Sequence, residues 1–210
     1  MAGDDQARAA ERPDLELLDA WRDGDSAAAD ELVRRHFDSL CRFFRSKVDD
    51  GVDDLIQDTL LTCLARRTSI PEAWSFRTYL FVAARDRLVD RFRRRRPEHD
   101  FDAQTTSIAQ EGASPSLVAE QRREQRLVLA ALQQIPLDLQ IALELHYWEG
   151  LAGAEIARVL DIPEGTVRSR LRRAHALLRE RLGELAQSRE ELERSMSELE
   201  RWAESVRKQA

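Results

Sequence analysis

Apolar residues recur along this chain at helical spacing, and no convincing alternating stretch appears. Leu15, Leu18 and Trp21 mark one such face, and Asp25 or Ser26 stands where it can cap the next helix. That helix carries Leu32, Val33, Phe37, Leu40, Phe43 and Phe44, and Gly51 separates it from a third. In the third, Leu55, Ile56, Leu60, Cys63 and Leu64 supply the buried side. A loop at Thr68–Glu72, containing Pro71, leads into AWSFRTYLFVAARDRLVDRFRRRR, residues 73–96. Periodicity is then lost over 97–119, where Gln, Thr, Ser, Gly and Pro dominate. It returns near Glu120, stops at Pro136 and resumes over 139–183. Beyond Gly183, Leu185, Leu192, Leu199 and Val206 repeat every seven residues, which predicts a surface helix or a short coiled-coil arm.

This pattern predicts an all-α protein of two small helical domains joined by a flexible linker. The expected divisions are a disordered N-terminus at 1–13, a first domain at 14–97, a linker at 98–119, a second domain at 120–183 and an amphipathic helical extension at 184–210.

The most informative stretch is 139–183. A helix over Gly153–Leu160 places Ala154, Ile156, Ala157 and Leu160 on one face. The segment Asp161-Ile162-Pro163-Glu164-Gly165 breaks it, because proline cannot continue a helix and glycine accepts unusual backbone angles. The following helix aligns Val167, Leu171, Ala174, Leu178 and Leu182 toward a core. Its other face holds Arg168, Arg172, Arg173 and Arg179. Between Thr166 and Arg181 there are six Arg against one Glu. A second helix with a basic face after a tight turn is a helix-turn-helix suited to the DNA major groove, or else a solvated helix of a small bundle.

Charge sharpens this. The chain of 210 residues is net −6. Residues 1–31 hold ten acids against three Arg, whereas basic charge gathers in 85–96 and 166–181. Two separated basic patches imply two polyanion contacts or one long one. No apolar run is long enough to span a membrane and no signal peptide begins the chain, so a cytoplasmic location is expected. Cys41 and Cys63 form no metal-type cluster and read as small core residues. No metal, cofactor or catalytic residue is expected, and His36 stands alone.

The helix beginning near Asp49 concentrates acids in its first turns, where the helix dipole favours them. Asp54, Gln57, Asp58 and Leu61 share one of its faces. That stripe is either a solvated face or a docking surface for a basic partner. In the next helix Trp74, Phe76, Tyr79 and Phe81 are interleaved with Arg77, Arg85, Arg87 and Arg91. Cations for phosphates and rings for unstacked bases are what single-stranded DNA binding requires. Asp86 and Asp90 can accept a hydrogen bond from an exocyclic base amine, or pair with neighbouring arginines.

Three segments, in this order, resemble the extracytoplasmic-function group of bacterial RNA polymerase sigma factors. Asp53-Asp54-Leu55-Ile56-Gln57-Asp58-Thr59 is similar to the docking helix of sigma domain two. Ser75-Phe76-Arg77-Thr78-Tyr79-Leu80, followed by Ala83-Ala84-Arg85-Asp86 and the Arg run, is similar to that domain's promoter-opening helix. Ile162-Pro163-Glu164-Gly165-Thr166-Val167-Arg168-Ser169-Arg170-Leu171 is similar to the recognition helix of sigma domain four. The resemblance implies a promoter-specificity subunit without catalysis of its own. Asp54, Leu55, Gln57 and Asp58 would dock on the clamp helices of the polymerase largest subunit, and domain four on the second-subunit flap. Trp74, Arg77, Tyr79, Arg85, Asp86, Arg87, Asp90 and Arg91 would melt and read the −10 element, with one base flipped into a pocket. Arg168, Ser169 and Arg172 would read the −35 element, with Glu164, Thr166 and Arg173 nearby. The linker would thread the polymerase, and an anti-sigma factor would be a regulator.

The sequence departs from the family in places. Asp stands at 86 and 90 where the family often has Asn, which changes hydrogen-bond donation. Ala152-Gly153 leaves the first helix of the motif without a side-chain cap. Residues 184–210 exceed the family minimum. Two other readings compete. A two-domain helix-turn-helix regulator not bound to polymerase leaves the acidic docking helix and the aromatic-basic helix unused. A metal-dependent nuclease built on Asp53, Asp54 and Asp58 lacks an assisting His or Lys.

Overall fold

The computed structural model describes residues 12–95, 101–109 and 123–209. The described residues form helices, apart from one isolated bridge between Ser107 and Pro136. Four helices make the first half: α1 (Asp14–Arg22), α2 (Ser26–Arg45), α3 (Val52–Ala65) and α4 (Phe76–Arg95). Five make the second: α5 (Arg123–Gln133), α6 (Leu137–Tyr147), α7 (Gly153–Leu160), α8 (Glu164–Leu185) and α9 (Arg189–Gln209). Residues 1–11 of the expected disordered N-terminus lie outside the described residues.

Local chemistry sets the helix ends. Asp25 caps α2 by accepting from the Ala27 and Ala28 amides at 2.9 and 3.2 Å. Gly51 precedes α3 at φ +60°, and this left-handed backbone angle calls for glycine; a Cβ there would also displace the end of the Arg91 side chain, 2.7 Å away. Asp161 ends α7 in the left-handed conformation, φ 52°, which its short polar side chain tolerates. Pro163 then fixes the entry to α8. As its sequence implies, Ala152 gives α7 no side-chain cap; Glu155 reaches back instead and accepts from the Ala152 amide at 3.0 Å.

α4 is the most enclosed helix of the first half. Phe76, Leu80, Phe81, Ala84, Leu88 and Phe92 are buried, each such large apolar side chain contributing about 1.5–3 kcal/mol. α3 packs on one side of α4 and α7 on another. One apolar cluster therefore runs through both halves, from Leu18, Leu32 and Phe44 across α4 to Leu137, Ile141, Ile156 and Leu160. A second cluster, Val128, Leu132, Leu139, Ala174, Leu178, Leu182 and Leu199, belongs to the second half. α6 supplies both clusters and is buried almost all round.

The stretch expected to be a flexible linker is packed wherever it is described. Over 101–109, Phe101, Ala103, Ser107 and Ile108 are buried, and Phe101 stacks on Phe92 with ring centroids 5.1 Å apart. The Leu137 and Asp138 amides donate to the Thr106 and Ala103 carbonyls at 3.0 and 2.9 Å. Three widely spaced apolar anchors in a polar stretch carry no periodicity, so composition alone hid them. Residues 98–100 and 110–119 lie outside the described residues.

The C-terminal extension, for which the sequence left the packing partner open, lies on its own protein. α9 covers α5 and touches α8, placing Leu192, Met196 and Leu199 on the second cluster. Glu191 pairs with Arg123 at 2.5 Å, and Gln125 donates to Glu198 at 3.2 Å.

Candidate nucleic-acid interface

On α3, Asp54, Gln57 and Asp58 are exposed along one face, as their spacing predicts, and Leu61 continues it at 53% exposure. Leu55 departs from the expected docking set. It is buried at 5% exposure and points into the first half, because it belongs to the opposite, apolar side of the helix. Beside this stripe an apolar groove of about 680 Å³ opens between α2 and α3, lined by Val33, Phe37, Ile56, Leu60 and Leu64. Asp54 and Asp58 also border a cleft of about 280 Å³ with Arg87, Arg91, Arg94 and Arg95, so the acidic stripe of α3 abuts the basic tail of α4.

The aromatic-basic group comes together only in part. Trp74 and Tyr79 approach with ring centroids 6.4 Å apart, and the Arg158 guanidinium lies 5.9 Å from the Trp74 ring. Phe76 and Phe81 are fully enclosed, and serve the core. Arg77 is half-buried near Glu155. Arg91 and Arg95 both pair with Asp50, Arg91 also donating to its carbonyl at 2.9 Å. Arg87 stands 3.8 Å from Asp90, a weak contact at the ion-pair limit. Asp86 is exposed, yet desolvation pushes its carboxyl above the usual aspartate range, with Arg85 opposing and Asp90 adding to the shift.

Arg85 is engaged elsewhere. Its Nε and Nη2 donate to the two carboxylate oxygens of Asp138 at 3.0 and 3.1 Å, a planar fork onto a fully buried acid. Arg170 of α8 approaches the same carboxylate at 3.5 Å and donates to the Gln104 side chain at 3.2 Å. Glu155 accepts from the Ser75 and Thr78 hydroxyls at 3.0 and 2.8 Å. Desolvation pushes Glu155 up, but these bonds and that from the Ala152 amide outweigh it and hold the carboxyl below the usual range. Lys47, entirely buried at the end of α2, contacts Glu144 of α6 and donates to the Phe43 carbonyl at 2.7 Å. Burial pushes the Lys47 ammonium's pKa down, with Glu144 opposing.

On α8 the geometry matches expectation. Glu164, Arg168, Ser169, Arg172 and Arg173 are exposed and Thr166 is half-buried, while Val167, Ala174, Leu178 and Leu182 face inward. Among the described residues Arg168, Arg172 and Arg173 have no ion-pair partner, which leaves three cations of one helix face available to an external polyanion. Asp138, Glu144 and Glu155 escaped the sequence reading. Their signal was carboxylates, with Gln140, set into helices otherwise rich in apolar residues.

Among the described residues no group of three or more His, Cys, Asp or Glu converges to hold a metal ion, and no helix is long and apolar enough to cross a membrane. Burial pushes Cys63 up to about 12, an unreactive thiol at neutral pH.

The family models for sigma-70 region 2 and sigma-70 region 4 match residues 32–98 and 125–178. The ECF RNA polymerase sigma factor SigM of Mycobacterium tuberculosis is 32% identical over 182 residues, covering 83% of this chain and 87% of that protein. The ECF RNA polymerase sigma-E factor of Escherichia coli is 28% identical over 172 residues, covering 77% and 90%. Among solved structures, CnrH, solved with the cytosolic domain of CnrY, aligns with TM-score 0.61 at 24% identity, over 82% of this chain and 99% of that one. The sigma factor RpoE of Bartonella quintana, solved with the anti-sigma factor NepR, aligns with TM-score 0.58 at 23% identity, over 73% and 96%. The two structural likenesses establish the shared fold.

Proposed function

The chain belongs to the ECF RNA polymerase sigma factors of the sigma-70 family, and from that premise we propose how its two halves divide the work. It is a promoter-specificity subunit of RNA polymerase. In our reading α3 docks on the clamp helices of the core enzyme through Asp54, Gln57 and Asp58. The exposed Leu61 and the neighbouring apolar groove extend that surface, combining a charged rim with an apolar centre. α8 enters the major groove of the −35 element with Arg168, Ser169 and Arg172 at base edges and Arg173 on phosphate. α4 serves the −10 element, with Trp74 and Tyr79 as stacking rings and Arg77, Arg85, Arg87 and Arg91 for the backbone. Asp86 and Asp90 face the flipped base in the same reading.

The observation that carries this division is the α8 face itself. Three exposed arginines, without an ion-pair partner among the described residues, follow a proline-fixed turn. A DNA-binding regulator acting without polymerase would leave the exposed α3 stripe and Leu61 without a use. The relative from Bartonella quintana was solved bound to an anti-sigma factor, and we extend to this chain an inhibitory protein partner of that kind. The test is a pair of variants. Asp54→Ala with Gln57→Ala weakens binding to core polymerase and leaves the helical content intact. Arg172→Ala keeps core binding and loses promoter discrimination at −35. Loss of core binding by both variants alike would remove the division of labour.

A further inference from the structure

α9 is the one long helix to which the reading above gives no work. It packs against α5, α8 and α6 of the second half. Its inner face brings Leu192, Met196 and Leu199 onto the cluster that holds Val128, Leu132, Leu178 and Leu182. Leu192 lies over Gly183 of α8, where an added Cβ would stand 3.9 Å from it. Beneath α9 the second half therefore has an apolar groove between α5 and the C-terminal part of α8. Polar donors edge that groove. Arg123 pairs with Glu191 and Arg179 with Glu193, each at 2.5 Å, and Gln125 donates to Glu198 at 3.2 Å.

The seam is not built like a permanent core. Glu191, Ser195 and Glu198 are buried in it, interleaved with the three apolar residues. Carboxylates are almost never enclosed without a partner, and these two are held only by side chains at the edge of α5 and by their own helix. The Ser195 hydroxyl is fully enclosed and has no hydrogen-bond partner among the described residues, which opposes closure of the seam. A half-polar seam of this kind is typical of surfaces that exchange partners.

The groove also sits apart from the DNA face. Arg168, Arg172 and Arg173 belong to the first half of α8, and Leu178 and Leu182 to its second. Arg172 and Leu182 are separated by roughly 15 Å along the helix axis. A helix seated in the groove leaves the arginines free. That suits a partner that must hold the second half while it reads DNA, whereas an inhibitor seated there would leave the −35 face open.

We propose that α9 is a displaceable stand-in for a partner helix: the α5–α8 groove receives a helix of core polymerase that is apolar on one face and carboxylate-edged, and α9 occupies the groove until that helix replaces it. The inference rests on the sigma-factor reading above. Its physical content is a competition for one groove, in which the affinity of the second half for core scales with the fraction of chains whose α9 has left. Core polymerase shifts that fraction by its preference for the vacated groove.

The test uses the full chain and purified bacterial core polymerase, with binding affinity and hydrogen exchange of α9 as readouts. Leu199→Ala loosens α9 without touching the groove floor, and is expected to tighten core binding by roughly tenfold. Ser195→Ala removes the unpaired hydroxyl, seats α9 more firmly and is expected to weaken core binding by roughly threefold. Wild-type α9 is expected to lose exchange protection on binding core. Glu191→Gln, which weakens the link to Arg123, shares the sign of Leu199→Ala and replaces it if that variant misfolds by circular dichroism. Glu190→Gln, at an exposed position of α9, changes net charge equally and is expected to leave affinity unchanged. Retention of α9 protection on core, with unshifted affinity in the α9 variants, would overturn the proposal and make α9 a fixed part of the second half. An equal gain in Glu190→Gln would overturn it as a net-charge effect. So would a released α9 that seats in a second copy of the chain, seen as a concentration-dependent dimer with unchanged core affinity. Where wild type binds core and initiates from promoters, those results remove the stand-in alone. Absence of core binding and initiation by wild type would instead remove the function on which it rests.

Discussion

The buried pair between Lys47 and Glu144 makes the sharpest energetic prediction. Lys47 has a side-chain exposure of 0% and Glu144 of 4%; Lys47 lies in the turn just after α2 and Glu144 in α6, one in each half. The ammonium also donates to the Phe43 carbonyl at 2.7 Å and the Ser46 hydroxyl at 3.0 Å, and lies 3.9 Å from the Phe43 ring centroid. Glu144 in turn accepts from Ser46 at 3.2 Å and Gln140 at 2.8 Å. Glu144→Gln keeps the shape and an acceptor but leaves a fully buried cation without its direct counter-charge, Glu149 being the remaining acid that acts on it. Breaking such a pair from one side costs about 3–5 kcal/mol. Lys47→Met removes the cation and strands the carboxylate, at a similar cost. The double variant Lys47→Met with Glu144→Gln strands neither charge, so it is expected to lie above either single variant in stability. The assay is a urea titration followed by a dye pair on Asp38→Cys and Ala176→Cys, exposed positions of α2 and α8, which reads the separation of the halves on unfolding. A double variant as weak as the two singles added together would refute the reasoning, as would a Glu144→Gln chain with an unshifted titration.

Other outcomes follow from the same geometry. Arg172→Ala is expected to cost about 1–3 kcal/mol at particular −35 base pairs, read by gel shift across a base-substitution series; an equal loss on all sequences would make it a phosphate contact. The Glu155 carboxyl is held below the usual glutamate range, so its contribution is present above the unfolded value and lost as pH falls through the lower folded one. Acidification through that window is therefore expected to loosen α7 from α4, where Arg77, Ser75 and Thr78 face it, and Glu155→Gln to flatten that part of the pH–stability curve. Leu199, 1% exposed on the inner face of α9, is expected to cost about 2–5 kcal/mol as Leu199→Ala, seen in hydrogen exchange as release of α9 while α7 and α8 stay protected.

Much of the fold could be read from apolar spacing, because most helices bury a single stripe, α6 being buried almost all round. The Gly153–Leu160 helix appears with the same ends in sequence and structure, since a proline-containing turn follows it. The α8 arginine face was equally legible, as charge and apolar stripe separate cleanly at helical period. What periodicity could not reveal was the packing of 101–109, where Phe101, Ala103 and Ile108 anchor without any repeat. Nor could it reveal which exposed-looking groups find partners across the two halves. Arg85 and Asp138 are 53 residues apart, and nothing local marks them as a pair. Leu55 shows the reverse: its spacing already put it on the buried side of its helix, where the structure has it, and only the family resemblance added it to the docking set.

The central claim is that this chain confers promoter choice on RNA polymerase with its two halves acting together. The most direct measurement is transcription in vitro with purified bacterial core polymerase on a library of randomised promoters. The account predicts initiation that depends on the chain, with two enriched elements at a fixed separation, the upstream one altered by Arg172→Ala and the downstream one by Asp86→Asn. Initiation that is independent of the chain, or enrichment of a single element unaffected by either substitution, would contradict it.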